Sequence, residues 1–360
     1  MAESVLDPAE FRSRVQSVVS SVLRQEGQLL ARISPDLLPL SEALEEFLSG
    51  GKRLRPAFCY WGWRGAGGDA SDPALDDAAI RAAASLEFLQ GCALIHDDVM
   101  DGSDTRRGRP AVHHRFAGLH RGATWLGSPE TFGVGAAILL GDLCLSWADQ
   151  VLLTSGMPAD ALHRAKGIYD EMRTELMAGQ YLDLLEQARG GGSIERALRV
   201  VQYKSAKYTI ERPLHIGAAL AGATPEVHAA FTAYGLPLGE AFQMRDDVLG
   251  IFGDPKETGK PAGDDLREGK RTVIIATALD RATESQAAVV RTHLGDPALD
   301  DAGLEALRTI ICDTGALAFA EEQITLRLDE ALAAAASPRI DPVAQGFLTE
   351  LAHAATSRSV

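Results

Sequence analysis

Residues 78–101 read AAIRAAASLEFLQGCALIHDDVMD. Ile80, Ala84, Phe88, Gly91, Cys92, Ile95 and Val99 recur at steps of four and three, the spacing of one face of an α-helix. The same period appears in Val15, Val18, Val19, Val22 and Leu23. It returns in stretches near 135–154, 158–189, 193–220, 226–252, 271–283, 301–312, 316–336 and 342–356. No stretch alternates apolar and polar residues convincingly, and no Asn-Gly pair marks a hairpin. The pattern predicts an all-α helical bundle.

The chain has 360 residues, 46% apolar and 24% charged, enough to bury a core without disulfides or structural metals. Gly, Pro, Ser and Asp mark loops near 65–75, 102–133, 189–193 and 253–271. None reads as a flexible linker and composition does not shift, so residues 1–360 are expected to form one domain. The loops at 102–133 and 253–271 exceed what a bundle needs, which points to function there. A net charge of −15 argues against a general nucleic-acid binder and against broad docking on anionic lipid. The most apolar stretch, Gly133 to Leu153, is cut by Asp142 and Asp149, so no membrane span is expected. Met1 to Phe11 carries Glu3, Asp7 and Glu10 and lacks the apolar run of a secretory signal. Cys59, Cys92, Cys144 and Cys312 form no metal-type spacing and are read as buried thiols in a reducing compartment, the cytoplasm.

Three charge constellations stand out. Asp97, Asp98 and Asp101 close the first stripe, with Asp97 and Asp101 one helical turn apart. Like charges at that spacing repel, and a helix C-terminus disfavours negative charge further. Such a group fits a hard dication that keeps water ligands and shares substrate phosphates. It also fits an N-cap cluster of the next segment or a solvated acidic face. The second constellation, Asp246 and Asp247 in FQMRDDVLG, lies among apolar residues and should be partly buried. Such carboxylates need a cation or several donors. The third is cationic. GGKRLRP places Lys52, Arg53 and Arg55 after two glycines and ahead of a helix start at Pro56, an arrangement suited to an anion. Arg106 and Arg107 follow the first acids. Lys204 and Lys207 precede Pro213, which should break the helical hydrogen bond to Thr209 and kink that helix. Lys260 and Lys270 follow the second acids. Each lysine or arginine alone fits a solvated surface equally well; interleaved with acids, they suit a polyanionic substrate.

GGKRLRP, DDVMD with RRG, GQYLD, Lys204-Ser205, FQMRDD and the GKP…GKR loop occur in an order that resembles the trans-isoprenyl diphosphate synthases, over about residues 40–285. The segment CALIHDDVMDGSDTRRGRPAVH is similar to the bacterial geranylgeranyl diphosphate synthase type. The resemblance implies a single helical bundle around a central cavity, a homodimer, and three Mg²⁺ per active site. It implies that Asp97 and Asp101 hold two of them with Asp98 supporting, and that Asp246 holds the third beside Asp247. Arg106, Lys204, Gln243 and Lys260 would contact an allylic diphosphate, with Ser205 adjoining. Lys52, Arg55 and Arg107 would bind isopentenyl diphosphate. Gln180 and Asp183 would be inner-wall polar groups, or a helix–helix hydrogen bond.

Two positions depart from the family. Gln90 stands where many members carry a histidine; it can donate a hydrogen bond but carries no charge. Gly250 stands where many carry a third acid, so no third ligand is assigned there. The implied activity is head-to-tail condensation of isopentenyl diphosphate with an allylic diphosphate. Ala93 and Cys92, about 6 and 7.5 Å behind Asp97 along the helix, are small, with packing of Cys92 against another helix as the alternative, and Leu89 and Phe88 would floor the tunnel. This favours geranylgeranyl diphosphate as product. A longer-chain polyprenyl synthase, a terpene synthase of the same fold and a non-catalytic partner subunit are the alternatives. The last two tend to lose the basic residues or one acid cluster, and all are present here.

Overall fold

The computed structural model describes residues 7–254 and 263–356. The protein is all-α, as the periodicity predicts. The helices are α1 (Pro8–Ile33), α2 (Leu38–Phe47), α3 (Leu54–Gly65), α4 (Pro73–Asp101), α5 (Val112–Gly122), α6 (Pro129–Leu153), α7 (Ala159–Arg189) and α8 (Ile194–Val200). They continue as a π-helix (Val201–Glu211), α9 (Arg212–Ala221), α10 (Pro225–Phe252), α11 (Asp264–Arg267), α12 (Val273–Arg281), α13 (Glu284–His293), α14 (Asp301–Asp313), α15 (Ala316–Ala335) and α16 (Pro342–Thr356). Two compact units result. Met1–Thr105, Arg109–Gly167 and Pro213–Ala223 build the first; Arg106–Gly108, Ile168–Arg212 and Thr224–Val360 build the second.

In the first unit α4 is the central helix. The Asp72 side chain accepts the Ala74 N–H at 2.9 Å and Pro73 takes the first position, a strong start signal. Residues 82–89 are all buried, so α4 is enclosed on every side. The helix ends at Gly102, whose φ of 67° is the left-handed conformation that glycine accepts without a Cβ penalty. Helix α6 starts with the Ser128 hydroxyl accepting the Thr131 N–H at 3.2 Å and packs along α4. Helix α1 buries Phe11, Val15, Val19 and Leu23, one residue per turn, each worth about 1.5–3 kcal/mol of transfer free energy.

In the second unit α10 is surrounded by the C-terminal helices. Met244, Val248 and Ile251 pack with Leu266, Ile274, Leu307, Ile311 and Ile324. Arg245 forks onto the Glu321 carboxylate at 2.6 and 2.7 Å, and Tyr234 donates to the Leu348 carbonyl at 2.7 Å. The region beyond residue 285 therefore supplies core to the helix that carries Asp246 and Asp247.

Three expectations change. The loop expected over 102–133 contains α5 and a small hairpin, Thr105–Arg106 paired with Arg109–Pro110. The helix expected over 193–220 is divided by the π-helix. Cys312 is exposed, whereas Cys59, Cys92 and Cys144 are buried. By length and hydropathy α4 and α6 would also pass as bilayer spans, although 78% of the apolar window of α4 is covered by protein.

Candidate active site

At the end of α4, Asp97 and Asp101 share a face and Asp98 is fully buried. The Asp98 carbonyl accepts the Ser103 N–H at 3.0 Å, which fixes the exit of the chain. The hairpin that follows turns through Arg107 and Gly108, both with positive φ (55° and 73°). Two such residues in a two-residue connection match the twist of paired strands, so Arg-Gly does here what Asn-Gly does elsewhere. Arg106 and Arg107 thereby sit at a tight tip.

The cationic loop is shaped by Gly50, Gly51 and Arg53, all with positive φ. Lys52 is exposed and Arg55, in the first turn of α3, is half-buried. Arg53 departs from the expected cationic face. It turns inward and is buried, bonded to Glu87, Gln16 and the Leu48 carbonyl.

The π-helix carries Lys204 and Ser205. Such helices bond i to i+5, are rare, and recur at functional sites. A side chain on Gly179 of α7 would collide with the Lys204 backbone, and one on Gly239 of α10 with Ala206. The two glycines let the π-helix lie close against α7 and α10. Lys204 Nζ donates to Asp183 Oδ2 at 2.6 Å, which realises the helix–helix bond expected as the alternative for Asp183. Lys207 pairs with Glu175 at 2.5 Å, and Arg212 grips the same carboxylate at 2.7 and 2.8 Å. Pro213 sits just past the π-helix, close to the break expected at Thr209.

The second acid pair is strongly perturbed at Asp247. Asp247 is buried and Asp246 half-buried. Burial pushes the Asp247 carboxyl up to about 8, and the nearby Asp265 and Asp246 push the same way. Gln243, donating to Asp247 Oδ1 at 2.8 Å, and Lys270 oppose the shift. The Asp265 carboxylate lies where a side chain on Gly250 would point. Lys270 joins Asp265 at 3.2 Å and Glu268 at 2.6 Å. Sequence reasoning missed Asp265, although it lies in the long loop already marked as functional. Lys260 lies outside the described residues.

A sequence profile described as polyprenyl synthetase matches residues 39–311. The chain belongs to the polyprenyl synthetase family. The matched region runs through both units. The protein is similar to a geranylgeranyl pyrophosphate synthase from Corynebacterium glutamicum, whose crystal structure holds isoprenyl diphosphate and magnesium. That likeness has 40% identity and a TM-score of 0.94, covering 98% of this chain and 100% of the other. It is 34% identical over 302 residues to a geranylfarnesyl diphosphate synthase of Aeropyrum pernix, covering 83% of this chain and 87% of that protein. It is 32% identical over 287 residues to a geranylgeranyl diphosphate synthase of Mycobacterium tuberculosis, covering 79% of this chain and 75% of that protein.

The donor chemistry of this polyprenyl synthetase fits a hard divalent cation. All the candidate ligands are carboxylate oxygens, which suit Mg²⁺. The crowding of Asp246, Asp247 and Asp265 disfavours their joint ionisation, with Asp247 raised to about 8, and a dication would favour the ionised carboxylates. Among the described residues no group of three or more His, Cys, Asp or Glu side chains is placed to hold a metal ion unaided. Mg²⁺ rarely uses one, because it retains water and borrows phosphate oxygens.

The four residues expected to set product length separate. Ala93 is one turn before Asp97, on the same face, and half-buried. Cys92, Leu89 and Phe88 are buried. The Cys92 thiol lies 3.7 Å from His96 Nδ1 and is pushed up to about 12 by burial. The Phe88 ring meets Trp147 of α6 edge-on, centroids 6.4 Å apart. Cys92 and Phe88 thus pack on the α6 side of the helix, while Ala93 stays with the carboxylates. Gln90 is half-buried and shares the Asp97 side two turns back.

Proposed function

We propose that this polyprenyl synthetase is a Mg²⁺-dependent geranylgeranyl diphosphate synthase. It is a prenyltransferase that condenses isopentenyl diphosphate with an allylic diphosphate, head to tail. The observation that carries the reading is the crowded acid site of Asp246, Asp247 and Asp265, in a chain that retains Asp97, Asp98 and Asp101. Asp97 and Asp101, supported by Asp98, would hold two Mg²⁺, and Asp246, beside Asp247, a third. Magnesium, when bound, would supply Lewis-acid charge at the diphosphate oxygens.

The remaining roles belong to the chain's own side chains. Arg106, Lys204, Lys260 and Gln243 would donate to the allylic diphosphate, where negative charge grows as the C1–O bond breaks. Lys52, Arg55 and Arg107 would hold the isopentenyl diphosphate, with Gln90 as a neutral donor. The isopentenyl double bond then attacks C1, and the released diphosphate takes the proton that restores a double bond. The half-buried, small Ala93 below Asp97 supports a product longer than farnesyl diphosphate. A geranylfarnesyl product is the second reading, favoured by the similarity to the Aeropyrum pernix protein.

Exposed Leu119, Trp125, Leu126, Phe132, Ile138 and Leu139 on and between α5 and α6 support a homodimer. Four unpaired cysteines suit the cytoplasm. Asp97→Ala and Asp246→Ala test the reading: turnover should fall by orders of magnitude with the melting temperature kept. Near-normal turnover would end the assignment.

A further inference from the structure

We propose that Arg53 is a positioning residue that sets the isopentenyl diphosphate site without touching the substrate. The proposal rests on the reading that Lys52 and Arg55 bind that diphosphate. Arg53 has φ 54° and ψ 37°, the left-handed region that non-glycine residues rarely adopt. Residues hold such a conformation only when their surroundings over-determine it. Here the surroundings do. The Arg53 side chain is 2% exposed. One terminal nitrogen donates to the Glu87 carboxylate of α4. The other donates to the Gln16 side-chain oxygen of α1 and, at 2.6 Å, to the Leu48 carbonyl at the end of α2. Gln16 Oε1 also accepts the Gly50 N–H at 3.2 Å, so one amide ties both ends of the loop.

The consequence is geometric. With Arg53 anchored inward, the chain must reverse at residues 50–53. Its neighbours behave differently, since Lys52 is exposed and Arg55 half-buried. The guanidinium fork is therefore the pin around which the two substrate-facing cations are set. Glu87 is the anchor on α4, ten residues before Asp97, or about 15 Å along the helix. Lysine at position 53 would keep the charge but could not reproduce the planar fork that meets three acceptors.

The test measures the Michaelis constants for both substrates, calorimetric binding of isopentenyl diphosphate, and melting temperature in Arg53→Lys and Gln16→Ala. Gln16 is only partly buried, so its variant keeps the test open should Arg53→Lys unfold. The expected result is a rise in the isopentenyl diphosphate constant of about tenfold in Arg53→Lys, smaller in Gln16→Ala, with the allylic constant unchanged. Calorimetry should show the same weakening. Equal loss for both substrates in step with a fall in melting temperature, or no change for either, would overturn the proposal. Lys52→Ala and Arg55→Ala run alongside separate the two failures. If they leave isopentenyl diphosphate binding intact, the assignment of that site fails. If they weaken it and the Arg53 and Gln16 variants do not, only the positioning role fails.

Discussion

The Asp265 carboxylate occupies the space that a side chain on Gly250 would need. The family resemblance implies an acid at the Gly250 position, and here an acid from fifteen residues further along the chain approaches it instead. Gly250→Asp should therefore not restore a missing ligand. It should collide with Asp265 and cost about 1–3 kcal/mol through overpacking, with turnover reduced. Gly250→Asp combined with Asp265→Ala should regain both stability and activity relative to Gly250→Asp. Melting curves and initial rates of the two variants beside the native protein read the outcome.

Metal binding has its own signature at Asp247. Its carboxyl, raised to about 8 by burial, is largely neutral at pH 7 without metal. Asp247→Asn should leave the metal-free melting temperature nearly unchanged. In the native protein a ligand that binds only the folded state raises stability by about 2.7 kcal/mol at a hundred times its dissociation constant. The rise caused by Mg²⁺ with a non-reactive diphosphate should shrink in Asp247→Asn and in Asp97→Asn. Thermal melts with and without Mg²⁺ measure it.

Product length should respond to Ala93 and not to Cys92. Ala93→Phe adds bulk on the Asp97 side and should shift the product toward farnesyl diphosphate. Cys92→Phe adds bulk against His96 and α6, so it should lower the melting temperature, at about 1–3 kcal/mol, and leave chain length alone. Sizing the dephosphorylated products by mass spectrometry separates the two.

What the sequence made legible follows short-range physics. The four-three spacing from Ile80 and the loop residues from Gly102 onward mark α4 with local residues only, although its start at Pro73, capped by Asp72, lies inside the stretch read as a loop over 65–75. The ordered motifs then marked most of the candidate site. Three features escaped because each depends on a distant partner or an unusual dihedral. Arg53 reads as one more cation in a basic loop, and only Glu87 and Gln16, 34 and 37 residues away, turn it inward. Asp265 reads as a loop residue until α11 brings it over Gly250. The hairpin at Arg107-Gly108 lacks the asparagine that normally announces it. For Cys92 the sequence left both a tunnel wall and packing against another helix open, since helical spacing alone does not say which neighbour fills which side, and Cys144 of α6 lies beside it.

The π-helix should loosen when its charge network is cut. Glu175 holds Lys207 and Arg212, with side-chain exposures of 13%, 18% and 11%. Burial alone would raise the Glu175 carboxyl, but Arg212 and Lys207 outweigh it and hold it below the usual range. A carboxyl lowered on folding adds stability above its unfolded value, near 4.3, and loses it as pH falls through the folded value. Glu175→Gln should thus lower the melting temperature at neutral pH, at about 1.5–3 kcal/mol for the charged hydrogen bonds lost, since Arg212 keeps Glu171 at 2.7 Å and Lys207 lies 3.9 Å from Glu211. The gap to the native protein should narrow as pH falls below the unfolded value and close once it passes below the lowered folded value. Parallel melts across that range check the sign.

Incubating the purified protein with Mg²⁺, isopentenyl diphosphate and each allylic primer in turn, then sizing the products, bears most directly on the whole account. Geranylgeranyl diphosphate as the dominant product, lost on chelation and recovered on adding Mg²⁺, is the expected result. Release of diphosphate from the primer with no lengthened chain would contradict it.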